Sequence, residues 1–406
     1  MTFLFPFFNF LQPGILWPEL ADFRPMLVVL LIALVLGLMK KNIAIRLATF
    51  KHPIFLLLIV FIAAQVLSVY ETGATGMLNE FSYWSAFPLF VLVSVLLISQ
   101  PIYLRRYVLG VVAGSMGIVF YGIYAVIAEL PAAVGGRAGA YGMYENHNDY
   151  SFIIIQTLPF IYMFWRGERG ILCRNFYLIC MIACAAGIFL SLSRGGVLAL
   201  VLEAGLLVAF TVQGRKRYFL LPSLVLAGAL AIGYQWSMRE ENQGSNYTAE
   251  DAQSSRFELW RAGKKMFLDK PLFGVGSRRF GEFSQEYEEI SHDNLGKNSH
   301  NTFIEILATS GIVGLGAFLL MVYHAIRQLR RSALALANGW VDEIRLATFI
   351  SFVSILFRAF LDAKAHDWSF YVLVSITLGY INCRNVDLPQ NLSNEIIVPD
   401  PSVVRH

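Results

Sequence analysis

The chain has 406 residues, of which 56% are hydrophobic, 14% aromatic and 15% charged, with a formal net charge of +4. An ordinary soluble domain is roughly 25% charged, so this composition excludes a disordered chain, a disulfide scaffold and a typical cytosolic enzyme, and so mild a charge does not argue for nucleic-acid binding. A membrane helix needs ~20 apolar residues to cross ~30 Å of hydrocarbon, which leaves room for about a dozen spans.

Apolar runs predict spans near 26–39, 53–70, 82–99, 107–128, 150–165, 175–193, 195–212, 217–235, 302–326, 345–361 and 367–383. An earlier run, 2–17, carries Pro6 and Pro13 and is either a twelfth span or a re-entrant segment. It has neither a basic start nor a small-residue cleavage site, so it is not expected to be a cleaved signal. The four cysteines, Cys173, Cys180, Cys184 and Cys383, fall outside the one long polar stretch and imply no disulfide framework. The expected fold is an all-α polytopic membrane protein of about 12 transmembrane helices with one large, partly helical periplasmic loop. Its parts are N-terminal spans over 1–235, the loop over 236–301, C-terminal spans over 302–383 and a disordered cytoplasmic tail over 384–406.

Orientation follows from the short loops. The loops at 40–52, 99–107, 166–175, 213–217 and 327–345 hold 16 basic residues against three acidic ones. The opposite set holds three basic residues, Arg137, Arg194 and Lys364, against seven acidic ones. The first set is therefore expected in the cytoplasm and the 236–301 loop outside.

Within that loop, Ser255-Arg256-Phe257-Glu258 reads as a capping box that opens an amphipathic helix of about 256–268 carrying Phe257, Trp260 and Phe267. Pro271 and Gly274-Val275-Gly276 end it, and a second short helix is expected around 279–290.

Three constellations can carry chemistry. In Ser191-Leu192-Ser193-Arg194-Gly195-Gly196, an arginine sits at the membrane boundary, in a hairpin that the two glycines are expected to permit. Its planar fork suits a phosphate or pyrophosphate; the plain alternative is snorkelling to lipid headgroups. In the second, Arg256 occupies a first helical turn, where the macrodipole disfavours a cation. Further on, Gly274-Val275-Gly276-Ser277-Arg278-Arg279 offers backbone amides and guanidinium groups to an anion, or is a plain turn with solvated charges. The third is Asn298-Ser299-His300-Asn301-Thr302-Phe303-Ile304-Glu305. His300 caps the start of a span and can take a proton from a hydroxyl and release it later. Asn301 and Glu305 share a helix face, and the alternative gives both His300 and Glu305 purely structural roles. Glu145-Asn146-His147-Asn148-Asp149 looks metal-like by composition, but with no second ligand cluster it reads as polar lining of the same outer cavity. Glu203 lies mid-span, and His366 sits beside Asp362 and Lys364 at an outer turn.

At these residues the chain resembles the O-antigen ligase and O-antigen polymerase superfamily. The resemblance rests on Ser193-Arg194-Gly195, Arg256 with Trp260, Pro271-Leu272-Phe273-Gly274-Val275-Gly276 with Phe280, and His300-Asn301 with Glu305, Gly311 and Gly314, in the family's order across about 140–320. The opening Leu11-Gln12-Pro13-Gly14-Ile15-Leu16-Trp17-Pro18 also looks like ligases linked to exopolysaccharide or protein glycosylation, which leaves the acceptor open.

The resemblance implies a glycosyltransferase C-like inner-membrane enzyme. Its donor would be an undecaprenyl-diphosphate-linked glycan, with no metal or nucleotide-sugar requirement. It would transfer that glycan to an acceptor hydroxyl, often lipid A-core, at the periplasmic face with inversion. It also implies that Arg194 and Arg256 hold the diphosphate and that His300 is the base or positions the acceptor. Arg278, Arg279, Asn301, Glu305 and His147 are additional candidates. A polymerase, a protein O-oligosaccharyltransferase and, from another class, a lipid-linked sugar transporter are the competing readings.

Overall fold

The computed structural model describes residues 1–40, 47–243, 249–330 and 339–395, and among these residues there is no strand. Lys41, Arg46, Arg331 and the chain beyond Glu395 lie outside the described residues. The helices are α1 (Leu4–Leu11), α2 (Pro13–Leu16), α3 (Pro25–Leu38), α4 (Pro53–Leu67), α5 (Gly73–Trp84), α6 (Ala86–Leu97), α7 (Pro101–Ile127) and α8 (His147–Gly167). They continue as α9 (Ile171–Leu190), α10 (Arg194–Thr211), α11 (Lys216–Gln243), α12 (Ala249–Asp269), α13 (Phe280–Tyr287), α14 (Thr302–Arg330), α15 (Gly339–Ala359) and α16 (Trp368–Glu395). Each of the eleven apolar runs read from the sequence is helical. Among the described residues, six segments are long and apolar enough to cross a membrane: 70–97, 101–127, 171–190, 194–211, 216–235 and 302–330.

Local chemistry sets the helix starts. Pro25, Pro53 and Pro101 occupy first helical positions, where a missing N–H leaves no hydrogen bond unmade. Asn146 and Ser193 cap α8 and α10 by accepting from the amides of Asn148 and Gly196.

The first apolar run breaks at Gln12, whose φ is +47°. Met1 and Thr2 nevertheless lie beside Lys40 and Arg106 at one end of the bundle, while Gln12 Oε1 approaches Gly142 at the other. The segment therefore runs most of the bundle's height, packed along α7 with the Phe3 and Phe7 carbonyls against Gly110 and Gly114.

The long loop builds its own small core from Leu259, Met266, Val275 and Phe280 and docks it on Ala308 of α14. The docking depends on a break in α14. Gly311 has φ +65° and ψ −165°, a region open essentially to glycine alone, and a Cβ there would meet the Leu272 backbone at 2.3 Å. The break frees backbone groups, and a break inside a membrane helix is tolerated only where such groups find new partners. Here they do. The Ala308 and Thr309 carbonyls accept from the Val275 and Gly276 amides at 2.9 and 3.1 Å, and the Ile312 amide donates to the Pro271 carbonyl at 2.9 Å. Pro271-to-Gly276 and Gly311 are thus two halves of one joint.

Several local expectations are corrected. Helix α12 is already under way at Ala249, so Ser255 cannot head a capping box. Glu258 instead accepts from the Ser291 amide and hydroxyl and from Asn294 Nδ2, closing the turn that follows α13. Helix α11 extends beyond residue 235 to Gln243, and α16 continues past Arg384 to Glu395, where a disordered tail was expected. Gly195 and Gly196 do not make the α9–α10 turn; Leu192 does, with φ +49°. Those glycines lie inside α10, where a side chain would collide with its neighbours: a Cβ on Gly195 would sit 2.9 Å from Arg358 Nη1.

Candidate functional site

The loop end of the bundle gathers Asn148, Asp149, Ser193, Arg194, Arg256, His300, Arg358, Asp362 and Lys364, from five segments of chain. Arg358, in the last turn of α15, is only 1% exposed. Its Nη2 donates to Asn148 Oδ1 at 3.0 Å and to Ser193 Oγ at 3.3 Å, and the Ser193 hydroxyl donates to the same Asn148 oxygen at 2.8 Å. One turn further, Asp362 places Oδ2 3.8 Å from Arg358 Nη2 and 3.6 Å from Lys364 Nζ. Lys364 also pairs with Asp149. A buried charge is stable only when paired and hydrogen-bonded, and this group meets that condition for Arg358 and Lys364 together.

His300 faces Asp362, with Nδ1 3.4 Å from Oδ1. Its backbone has φ +52°, a left-handed conformation that a non-glycine residue adopts only when its surroundings impose it. Both neighbours are locked. The Ser299 amide donates to Glu305 Oε2 at 2.8 Å, and the Ser299 carbonyl accepts from Trp260 Nε1 at 3.0 Å. Asn301 caps α14, its Oδ1 accepting from the Phe303 and Ile304 amides, while its Nδ2 donates to the Phe360 carbonyl at 3.2 Å. Thr302 Oγ1 donates to the Asp362 carbonyl at 2.7 Å and so ties the histidine's segment to the aspartate's. The His300 side chain is 33% exposed. With Nδ1 turned to a carboxylate, Nε2 is the nitrogen left to take a proton.

Arg194 opens α10 beside Gly195, whose Cα faces the Arg358 guanidinium. Arg256, half-buried on α12, lies close enough for its charge to act on Arg358. Of the three positions read from the sequence, His300 faces the Arg358–Asp362 pair directly, Arg256 acts on it through its charge, and Arg194 stands next to the glycine packed against the Arg358 guanidinium. His147 stays apart, with Nδ1 3.1 Å from the Ala138 carbonyl; its neighbours Asn148 and Asp149 join the cluster instead. Arg278 makes a two-pronged contact with Glu80, at 2.6 and 3.2 Å, and lies over the Tyr83 ring. Arg279 binds Glu282 at 2.6 and 2.8 Å. The Val275 and Gly276 amides, offered to an anion in the sequence reading, are taken by α14. Glu203 is buried in α10, and neither of its carboxyl oxygens has a hydrogen-bond partner.

Beside Glu305 lies a pocket of about 270 Å³ whose lining includes Gln65, Tyr83, Arg278, Asn298, Glu305 and His366. Burial, then the charges of Lys364 and Arg278, push the His366 imidazole down to about 4. The unfolded chain keeps an ordinary histidine near 6.5 and takes up the proton first, so acid favours unfolding. The protein is expected to lose up to ~3 kcal/mol as pH falls from 6.5 to 4, with none of this loss above 6.5. Thermal unfolding in detergent across that range checks it: His366→Gln should flatten the slope between pH 6.5 and 4.5 relative to the unsubstituted protein.

Arg358 was missed in the sequence because it ends an apolar run, where a basic side chain ordinarily snorkels. Asp362 and Lys364 were noted only as neighbours of His366. The available signal was Arg358 and Asp362 four apart, astride a helix end.

No curated protein matches the chain. Residues 179–319, which contain Arg194, Arg256, His300 and the Gly311 joint, match the family model described as O-Antigen ligase. That stretch of the chain therefore carries the domain of the O-antigen ligase and polymerase superfamily.

Proposed function

We propose that the protein is an O-antigen ligase-like glycosyltransferase of the bacterial inner membrane. It moves a glycan from undecaprenyl diphosphate to a hydroxyl of lipid A-core or a similar acceptor, at the periplasmic face. A topology of about twelve spans with the basic short loops in the cytoplasm would put the 236–301 loop, and with it the cluster around His300, at that face; the loop charges support this orientation. The observation that carries the reading is His300 held against Asp362 beside the buried cations Arg358 and Lys364, with Arg194 and Arg256 on neighbouring segments.

The arrangement of these residues supports the following step. The acceptor hydroxyl gives its proton to His300 Nε2 as its oxygen bonds to the anomeric carbon. The bond from that carbon to the diphosphate oxygen breaks, and its electron pair leaves with the diphosphate. Attack opposite the leaving group inverts the centre. Negative charge grows on the diphosphate as the bond breaks, and the Arg194 and Arg256 guanidinium groups meet it in a partly dry site, where fixed charges act most strongly. Asp362 holds the imidazole in one tautomer and faces the positive charge that forms on it, while Arg358 and Lys364 flank the second Asp362 oxygen. The pocket beside Glu305, with an aromatic wall and amide, carboxylate and imidazole groups, suits the sugar ring that carries the acceptor hydroxyl.

The test is product mass spectrometry on proteoliposomes given a lipid-linked glycan and lipid A-core. Transfer is expected, falling about 10²–10³-fold in Arg194→Ala and in Arg256→Ala, as when one charge-stabilising donor is lost. Full activity in both, and in His300→Ala, would remove the site assignment. Extension of the lipid-linked glycan without any core acceptor would make the enzyme a polymerase, and movement between leaflets without bond cleavage a transporter.

A further inference from the structure

Helix α12 carries Arg256, Trp260 and Gly263 on one face, four and then three residues apart. Two of them settle what that face meets. Gly263 marks a close approach to the start of α14, since a Cβ on it would sit 2.6 Å from Ile304 Cγ2. One turn back, Trp260 Nε1 donates to the Ser299 carbonyl at 3.0 Å. Another turn back, Arg256 lies close enough for its charge to act on Arg358. The helix that brings a cation to the proposed diphosphate therefore also grips the chain just ahead of His300.

The Ser299 carbonyl belongs to the peptide plane that joins Ser299 to His300, and rotation of that plane about the next N–Cα bond is the φ of His300. That φ is +52°, a value a non-glycine residue keeps only where its surroundings over-determine it. Relaxation to an ordinary helical φ would turn the plane by roughly 110° relative to the imidazole. Either the carbonyl would leave the indole or the imidazole would leave Asp362. The other bonds of Ser299 act elsewhere. Its amide, given to Glu305 Oε2, lies in the preceding plane, and its hydroxyl donates to the Asn301 carbonyl at 2.8 Å. A partly buried tryptophan ordinarily finds some acceptor for its N–H. Here the acceptor is the one group whose orientation decides where the imidazole points.

We propose that Trp260 is a positioning residue for the transfer reaction: its indole N–H holds the 299–300 peptide and so keeps the His300 imidazole against Asp362. Its effect passes through His300 and leaves the donor to Arg256, one turn away. One face of α12 thus serves both halves of the reaction, through two residues whose contributions separate in measurement. The inference rests on the transfer reading above, in which His300 is the base.

The test uses the full chain with Trp260→Phe and, separately, with benzothienylalanine in place of Trp260, which keeps the bicyclic shape but exchanges the N–H for a sulfur that cannot donate. Single-turnover transfer from a lipid-linked glycan to lipid A-core is read in proteoliposomes, and donor retention by native mass spectrometry. Both variants should transfer about five- to tenfold more slowly, the worth of one hydrogen bond, with donor retention unchanged. Added to His300→Ala, the benzothienylalanine exchange should slow the residual rate no further, because nothing is left to position. A merely structural tryptophan would slow both backgrounds by the same factor, and that result would overturn the proposal. So would a wild-type rate in the benzothienylalanine protein, or a loss of donor retention equal to that in Arg256→Ala. If Trp260→Phe fails to fold, the isosteric protein still decides. Full activity in His300→Ala, or no transfer by the unsubstituted protein, would instead remove the transfer reading and this inference with it. A slow His300→Ala beside an unaffected benzothienylalanine protein would strike this inference alone.

Discussion

Arg358→Ala is expected to abolish transfer and to lower the unfolding temperature sharply. The side chain is buried and joins Asn148, Ser193 and Asp362 in a single contact set. Its removal leaves the Asp362 carboxylate with Lys364 as its one nearby buried cation and leaves the Asn148 oxygen without its charged donor. Breaking one side of a buried pair typically costs ~3–5 kcal/mol, because the remaining charge stays desolvated. Activity should fall with stability, since the same guanidinium holds the 148–151 and 193–196 segments beside the His300 segment. Arg358→Lys is the informative companion. It keeps the charge but on a shorter, more strongly hydrated head that does not reach Asn148, Ser193 and Asp362 together, so it should recover part of the stability and little of the activity. Thermal unfolding in detergent and product formation, read on the same preparations, check both. A variant as stable and active as wild type would mean that the buried arginine plays neither role.

Asp362→Asn should cost some stability, because Arg358 and Lys364 lose a counter-charge, and should lower turnover by about 10²–10⁴-fold, the range that a positioned general base contributes. An amide can face His300 Nδ1 but cannot stabilise the imidazolium or enforce a single tautomer. The KM for the lipid-linked donor should change little, because the cations that meet the diphosphate remain. The sharper form of the prediction is non-additivity. If Asp362 acts only through His300, the double variant with His300→Ala should be no slower than His300→Ala alone. Multiplied losses would show that the two residues act separately.

These residues also mark the limit of what the sequence made legible. The apolar runs were readable because helices in hydrocarbon must satisfy their own backbone, which leaves a strong one-dimensional signal. The 298–305 motif was readable because polar residues crowd the start of a span. Arg358 was not, since its partner Asn148 lies 210 positions away and nothing local distinguishes a paired arginine from a snorkelling one. His300 and Asp362 are 62 apart, and their meeting depends on Thr302 and Asn301 bonding across to the 360–362 backbone. Glu258 misled for a related reason. Its spacing from Ser255 fits a cap, but the helix begins earlier, and the carboxylate serves a turn 33 residues on. The Pro271–Gly276 stretch and Gly311 were each noticed, yet their joint depends on carbonyls freed by a helix break that spacing alone does not reveal.

The account's central claim separates holding the donor from activating the acceptor, and paired measurements on His300→Ala test it most directly. Retention of an undecaprenyl-diphosphate glycan by native mass spectrometry would be set against the single-turnover rate with acceptor present. The prediction is wild-type retention with turnover down by at least about 10²-fold, a scale set by general-base catalysis. Turnover at the wild-type rate would contradict it, as would loss of donor retention equal to that in Arg256→Ala.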